Sequence, residues 1–237
     1  MQQQSIQQFL ETQFHAFQVE VDVSRERADI ILNRAPLNVI SMGQRDQLRL
    51  VFEALDAHKD VRVIVLRSVG EHFSSGGDIK GFLEASPEHV SKLAWNVAAP
   101  ARCEKPVIVA NRGYTFGVGF ELSLACDFRI ASQTTRYALP EQNLGQIPGS
   151  GGSARLQKII GITRTKHMVM RAKRVTGDQA YAWGIATEVV PDAELESTAL
   201  TVHTHHLRRK RGNGIVETVR GLGYRLGPAD GAGELKK

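Results

Sequence analysis

Cysteine is scarce in this chain of 237 residues, where Cys103 and Cys126 are the only two. Cys126 lies in an apolar run of helical character, so we expect no disulfide framework and a reducing, cytoplasmic environment. No apolar stretch approaches the roughly 18 residues of a membrane-spanning helix. The glutamine-rich residues 1–8 lack the basic and apolar regions of a secretory signal. We therefore predict neither secretion nor a membrane partner.

Positive charge is unevenly distributed along the chain. The net charge is +5 and the isoelectric point is 9.4, but residues 207–237 contain eight Lys or Arg against three acids. The first 206 residues are therefore neutral, and we expect no nucleic-acid partner for them. With 237 residues, 42% of them hydrophobic, the chain is large enough to bury the core of one domain.

Hydrophobic periodicity predicts a layered α/β arrangement. Apolar and polar residues alternate in two runs around a polar turn, which indicates a hairpin over residues 17–33. Leu48, Val51, Phe52 and Leu55 recur at helical spacing. We predict helices over residues 44–58 and 118–126, and strands over residues 61–66, 106–110 and 128–131. Strand, glycine loop and helix thus recur, and free backbone amides begin each helix.

Two glutamates, Glu121 and Glu141, stand in glycine-rich settings twenty positions apart. Two carboxyl groups that face one substrate can hold a water between them, one taking a proton while the other supplies one. Each residue alone has an ordinary explanation: Glu121 begins a helix, and Glu141 lies in a polar loop. Their combination favours acid–base chemistry on a carbon skeleton.

Two glycine loops supply a second chemical element. Ser75-Gly76-Gly77-Asp78-Ile79-Lys80 and Gly117-Val118-Gly119 each leave backbone N–H groups free where a helix begins. Two such groups that converge on one oxygen form an oxyanion hole. If the substrate is a thioester, polarising its carbonyl acidifies the α-carbon and activates the β-carbon of a conjugated alkene.

Together these motifs resemble the crotonase (enoyl-CoA hydratase/isomerase) superfamily. The matching segments are Ser75 to Lys80, Gly117-x-Gly119-x-Glu121-Leu122 with Cys126-Asp127, and Pro140-Glu141 with Leu144-Gly145 and Ile147-Pro148-Gly149-x-Gly151-Gly152. The resemblance covers roughly residues 14–191. It implies a spiral of repeated ββα units, an acyl-CoA substrate and assembly as homotrimers or hexamers.

Roles carried over from the resemblance give a complete hydratase site. Gly77 and Val118 would donate N–H groups to the thioester oxygen, and Glu121 and Glu141 would orient the water that adds across the double bond. Residues that would line the coenzyme A entrance are Leu37, Asn38, Gly77, Asp78, Ile79 and Lys80. No cofactor is expected, since coenzyme A is part of the substrate. No metal is expected either, because His72 and His89 lack partners at ligand spacing and the cluster His203-x-His205-His206 lies in a basic tail, where solvation is the simpler interpretation.

Val118 departs from the family pattern, because glycine is common at its position. The N–H remains, but a β-branched side chain resists a positive φ and narrows the pocket. Retaining both acids favours a hydratase. An isomerase or an acyl-CoA hydrolase of the same superfamily stays open as an alternative.

The C-terminal segment takes a different course. Family members continue past residue 200 with helices that cover the acyl pocket, whereas residues 202–226 resemble the end of an OmpR/PhoB-type winged helix. We therefore divide the chain into a flexible N-terminus (1–13), a crotonase-like domain (14–200) and an atypical basic tail (201–237). A second hypothesis follows, in which a catalytically impaired crotonase-like protein binds DNA or a partner through this tail.

Overall fold

The computed structural model describes residues 3–199, 216–219 and 223–226, which contain a mixed α/β fold. The strands are β1 (Phe17–Asp22), β2 (Arg27–Leu32), β3 (Val63–Ser68), β4 (Val107–Asn111), β5 (Tyr114–Phe116), β6 (Phe128–Ser132), β7 (Arg136–Ala138), β8 (Val175–Thr176), β9 (Glu188–Val190), β10 (Val216–Val219) and β11 (Gly223–Leu226). The α-helices are α1 (Gln3–Leu10), α2 (Met42–Ala57), α3 (Ile79–Glu84), α4 (Pro87–Ser91), α5 (Leu93–Val97), α6 (Val118–Ala125), α7 (Gly152–Met170) and α8 (Gly177–Ala182). Helix α7 is interrupted at Gly161.

Two sheets contain the nine strands β1 to β9, and β10 and β11 form a separate pair. The larger has six in the order β1-β2-β3-β4-β6-β9, and the smaller has three in the order β5-β7-β8. The predicted hairpin is confirmed, because β1 and β2 pair antiparallel. The other neighbouring strands of the larger sheet pair parallel to one another. After β4 and again after β6, the chain passes from the larger sheet to the smaller one. This repeated passage is the spiral that the resemblance predicted.

Helix α2 packs one apolar face against the larger sheet. Ser41 begins it with a capping box, in which its hydroxyl accepts from the Gln44 N–H and the Gln44 side chain accepts from the Ser41 N–H. The predicted stripe from Leu48 to Leu55 is buried, together with Ile64 and Leu66 of β3. The intervening Val65 packs in a separate cluster on the opposite face. The sheet is therefore covered on both sides, as parallel strands require.

The N-terminal residues differ from the flexible segment expected over residues 1–13. They contain helix α1, whose Ile6 and Leu10 are buried in the main core. These two residues are four positions apart and share one helix face, so a short glutamine-rich helix can still pack. Gln7 adds a hydrogen bond between its Oε1 and the His58 ring at the end of α2.

The described part of the tail consists of two short strands. β10 and β11 pair antiparallel, with Val216 opposite Leu226. The remaining tail, including its basic run, lies outside the described residues, so the winged-helix resemblance stays a prediction. In the parts of the chain that the structure describes, no helix combines the length and apolar character needed to cross a bilayer.

Candidate active site

Helix α6 begins at a sharp turn made by Gly117. This glycine has φ 51° and ψ −129°, a conformation that side chains rarely adopt, and Val118 follows as the first helical residue. The expected strain at Val118 is absent, because Gly117 takes the positive φ in its place. As the first residue of the helix, Val118 has no intrahelical acceptor for its N–H.

A second free amide belongs to Gly77. Its neighbours pair with Ile40, which donates to the Gly76 carbonyl and accepts from the Asp78 N–H. Among the described residues, the N–H of Gly77 has no such backbone acceptor. A Cβ built on Gly77 would lie 3.6 Å from Cγ1 of Val118, so the two loops adjoin. The structure thus brings the two predicted amides to one place.

Glu121 lies one turn into α6 and is only 2% exposed. Its Oε1 accepts from the N–H groups of Ser150 at 2.8 Å and of Gly152 at 2.9 Å. A Cβ on Gly152 would lie 2.7 Å from Cγ of Glu121, so this close approach requires glycine. Residues 149–152 form the turn that leads into α7, and the N–H groups of this turn also hold the Glu121 carboxyl group in place.

The protonation of Glu121 reflects two opposing effects. Burial raises its pKa above the ordinary value, because a charged carboxylate is costly away from water. The hydrogen bonds from Gly152 and Ser150 and the positive charge of Arg45 act in the opposite direction. Burial prevails, so the group can take up a proton more readily than an exposed glutamate.

Glu141 is the first residue of the short 3-10 helix Glu141–Leu144 and lies on the same cavity as Glu121. Its Oε1 lies 3.3 Å from the position that a Cβ on Gly117 would occupy. Its Oε2 is buried and has no hydrogen-bond partner among the described residues. Burial, with a smaller effect from the charge of Glu121, raises the pKa of Glu141 to about 7.

These groups line one cavity of about 320 Å³. Both glutamates contribute to its wall, as do Gly77 and Val118. The rest is largely apolar, with Phe82, Leu83, Val90, Leu93, Leu144 and Ile147 among the lining residues. Two N–H donors beside paired carboxyl groups can polarise a carbonyl and exchange protons with the carbons next to it.

The sequence profile of the enoyl-CoA hydratase/isomerase family matches residues 25–215. The chain belongs to this family. Its sequence is 37% identical over 175 residues to the carnitinyl-CoA dehydratase of Shigella flexneri, with 72% of this chain and 67% of that protein aligned. It is also 34% identical over 181 residues to the peroxisomal fatty acid beta-oxidation multifunctional protein MFP2 of Arabidopsis thaliana, of which the aligned region covers 25%.

Solved structures agree with this family membership. An enoyl-CoA hydratase from Bacillus anthracis superposes with a TM-score of 0.73 at 31% identity, covering 79% of this chain and 75% of that one. DspI from Pseudomonas aeruginosa gives 0.76 at 29% identity, covering 83% and 76%. The predicted crotonase-like fold is confirmed.

The predicted entrance residues of this family member divide into two groups. Gly77, Asp78 and Ile79 line the cavity, whereas Leu37, Asn38 and Lys80 are absent from its wall. Asp78 also caps α3 by accepting from the Gly81 N–H.

Asn38 has a structural role in the loop before α2. Its side-chain amide donates to the carbonyls of Val69 and His72, and its oxygen accepts from the Arg34 N–H. The neighbouring Leu37 carbonyl accepts from the Ser75 N–H. Both residues thus hold the first glycine loop in position.

Arg45 also lines the cavity, although it belongs to none of the sequence motifs. It lies on α2 and is 7% exposed, with its Nε buried and unbonded. Arg45 belongs to the buried stripe of α2, because it lies three positions before Leu48 and seven before Phe52. A charge at a core position of an amphipathic helix was the available signal.

The described residues contain no cluster of three or more His, Cys, Asp or Glu that could hold a metal ion. His89, one of the histidines considered from the sequence, instead bonds to Asp46 at 2.6 Å. The expected absence of a metal stays a prediction.

Proposed function

We propose that this protein catalyses the reversible hydration of a 2-enoyl-CoA thioester to a 3-hydroxyacyl-CoA. The observation that carries the proposal is that Glu121 and Glu141 line the same cavity as Gly77 and Val118, whose N–H groups have no backbone acceptor among the described residues. The names of the relatives, carnitinyl-CoA dehydratase and enoyl-CoA hydratase, are consistent with this chemistry. Assembly as trimers or hexamers is proposed from the family resemblance.

The addition of water requires two proton movements. The water oxygen bonds to the β-carbon while one O–H bond breaks and its proton passes to a carboxylate. The π electrons of the alkene shift toward the thioester, whose oxygen accepts from the N–H groups of Gly77 and Val118. A proton from the other carboxylic acid then forms the new C–H bond at the α-carbon.

The environments of the two acids suggest which proton goes where. Glu141, with its pKa raised to about 7, can hold a proton at neutral pH and is assigned as the donor to the α-carbon. Glu121 is held in place by two backbone N–H groups through Oε1 and is assigned to the water, because its raised pKa makes its carboxylate a stronger base. Dehydration reverses both roles, and one proton shared by the pair serves both directions.

The direct test supplies the purified protein with enoyl-CoA thioesters of several chain lengths. We expect loss of the conjugated-thioester absorbance and appearance of a 3-hydroxyacyl-CoA that carries oxygen from labelled water. A product in which only the double bond has moved would show an isomerase, and release of free coenzyme A a hydrolase. The mass in solution, measured in parallel, tests the proposed assembly.

The pH profile should show the shared proton. The pair loses its proton as the pH rises through the raised pKa of Glu141, about 7. We therefore expect kcat/KM for hydration to fall above about pH 7, approaching tenfold per pH unit. Initial rates over pH 5.5–9, corrected for uncatalysed thioester hydrolysis, measure this limb. A rate that instead falls as the pH drops below 7 would mean that a fully ionised pair is the active form.

A further inference from the structure

Arg45 is a buried cation without a direct partner in a largely apolar cavity. Arg45 is only 7% exposed, and within the part of the chain that the structure describes its Nε has no hydrogen-bond partner. No carboxylate of the described residues forms an ion pair with it within 4.0 Å, although many surface arginines of this chain have one. Burial lowers its pKa, as expected for a cation removed from water.

The acids whose charges act on Arg45 bond to other donors. Glu121, Asp46 and Asp78 are the three that favour its charge electrostatically. Glu121 accepts from two backbone amides through Oε1. Asp46 bonds to the His89 ring and, through its other oxygen, to the Asn96 amide. These carboxylates compensate the charge at a distance and leave guanidinium hydrogen-bonding capacity unused.

Asp78 completes the same pattern. Its Oδ1 accepts from the Gly81 N–H, and its Oδ2 lies 3.7 Å from Nη2 of Arg34. A guanidinium presents five N–H donors in a planar fork that matches a carboxylate. Arg45 can therefore bind an oxygen anion from a ligand, because no carboxylate of the described residues occupies its guanidinium.

The position of this guanidinium relates it to the reacting part of a substrate. Nη2 of Arg45 lies 2.5 Å from where a Cβ on Gly77 would stand, so it adjoins the proposed thioester site. The cavity that contains both is about 320 Å³. An anion bound by Arg45 must therefore lie only a few carbons from the thioester carbonyl.

We propose that Arg45 is a specificity residue that binds a carboxylate on the acyl chain, so that the substrate class is the mono-CoA thioester of a short dicarboxylic acid. This inference rests on the proposed function for the thioester end of the ligand. A buried arginine disfavours an acyl chain that ends in a cation, such as the trimethylammonium of carnitinyl-CoA, and its unmet hydrogen bonds disfavour a plain alkyl chain.

Binding of unreactive analogues tests this proposal independently of turnover. Glutaryl-CoA and butyryl-CoA share the thioester, and the former adds a terminal carboxylate. Calorimetry on the intact protein should show that glutaryl-CoA binds about 100-fold more tightly than butyryl-CoA. The reason is that its terminal carboxylate can form a charge-assisted bidentate pair with the guanidinium of Arg45. Arg45→Met should reduce that ratio to near one, and Arg45→Lys should retain part of it.

A matched control lies one turn further along the same helix. Arg49 bonds to Asn96 and Glu53 and is not part of the cavity wall. Arg49→Met should leave the ratio of affinities unchanged. Circular dichroism and thermal unfolding of each variant establish that it is folded, and Arg45→Lys provides a charged substitute if Arg45→Met does not fold.

Activity separates this inference from the proposed function. Equal affinities for the two analogues in the natural protein, or an unchanged ratio in Arg45→Met, would overturn the role of Arg45. Hydration of crotonyl-CoA would then still support the proposed function. Conversely, preferred binding of glutaryl-CoA without hydration of either glutaconyl-CoA or crotonyl-CoA would retain the carboxylate site and reject the hydratase.

Discussion

Glu121→Gln and Glu141→Gln should each lower kcat for hydration about 1000-fold, while acyl-CoA affinity changes only a few-fold. Glutamine keeps the shape of the side chain. At residue 121 its amide oxygen can still accept from Ser150 and Gly152, the two donors that hold the natural carboxyl group. It cannot exchange a proton. Steady-state kinetics together with binding of a saturated acyl-CoA measure the two quantities separately.

The double variant gives a second readout of the same prediction. If the two acids act as one proton-exchanging unit, Glu121→Gln/Glu141→Gln should be little worse than the slower single variant. Glu53→Gln is a suitable control, because it removes a surface carboxylate that pairs with Arg49. Near-normal hydration by either single variant would refute the assignment. Double-bond migration that depends on only one of the acids would identify an isomerase.

Much of the architecture could be predicted because local patterns and global fold agree. The stripe Leu48, Val51, Phe52 and Leu55 specifies one buried helix face, and helix α2 presents that face to the core. The observed helix begins two residues before the predicted start, because the capping box at Ser41 sets its first turn. Terminal hydrogen bonds, rather than periodicity, decide such boundaries.

The candidate site divides into a predictable and an unpredictable part. Gly77, Val118, Glu121 and Glu141 were predicted from ordered motifs, and the structure places all four on one cavity. The support for Glu121 was not predicted, since its bonds join residues about thirty positions apart. Such contacts depend on how α6 and the start of α7 pack.

Arg45 shows a different limit of sequence reasoning. A single arginine in an otherwise polar-looking segment has an ordinary interpretation as a surface residue. Its spacing on the stripe of α2 indicates burial, but only the packed structure shows that it lines the cavity and that nearby acids bond elsewhere. The motifs identify a general reaction, whereas the residue that discriminates among substrates lies outside them.

Val118→Pro should lower kcat/KM for hydration about 100- to 1000-fold by deleting one donor of the proposed oxyanion hole. Val118 is the first residue of α6, a position that proline favours because no intrahelical bond is lost there. The preceding Gly117 has ψ −129°, outside the helical region that a following proline disfavours. The substitution thus removes the N–H while the helix keeps its start.

Val118→Ala separates the amide from the side chain. It retains the N–H and only enlarges the pocket, so its kcat/KM should stay within about tenfold of the natural protein, a typical effect of lost apolar contact. A bound enoyl-CoA should show a red-shifted absorbance in the natural protein and in Val118→Ala, and a smaller shift in Val118→Pro, because two N–H donors polarise the conjugated carbonyl more than one. Near-normal hydration by a folded Val118→Pro would remove this amide from the mechanism and leave Gly77 as the single proposed donor.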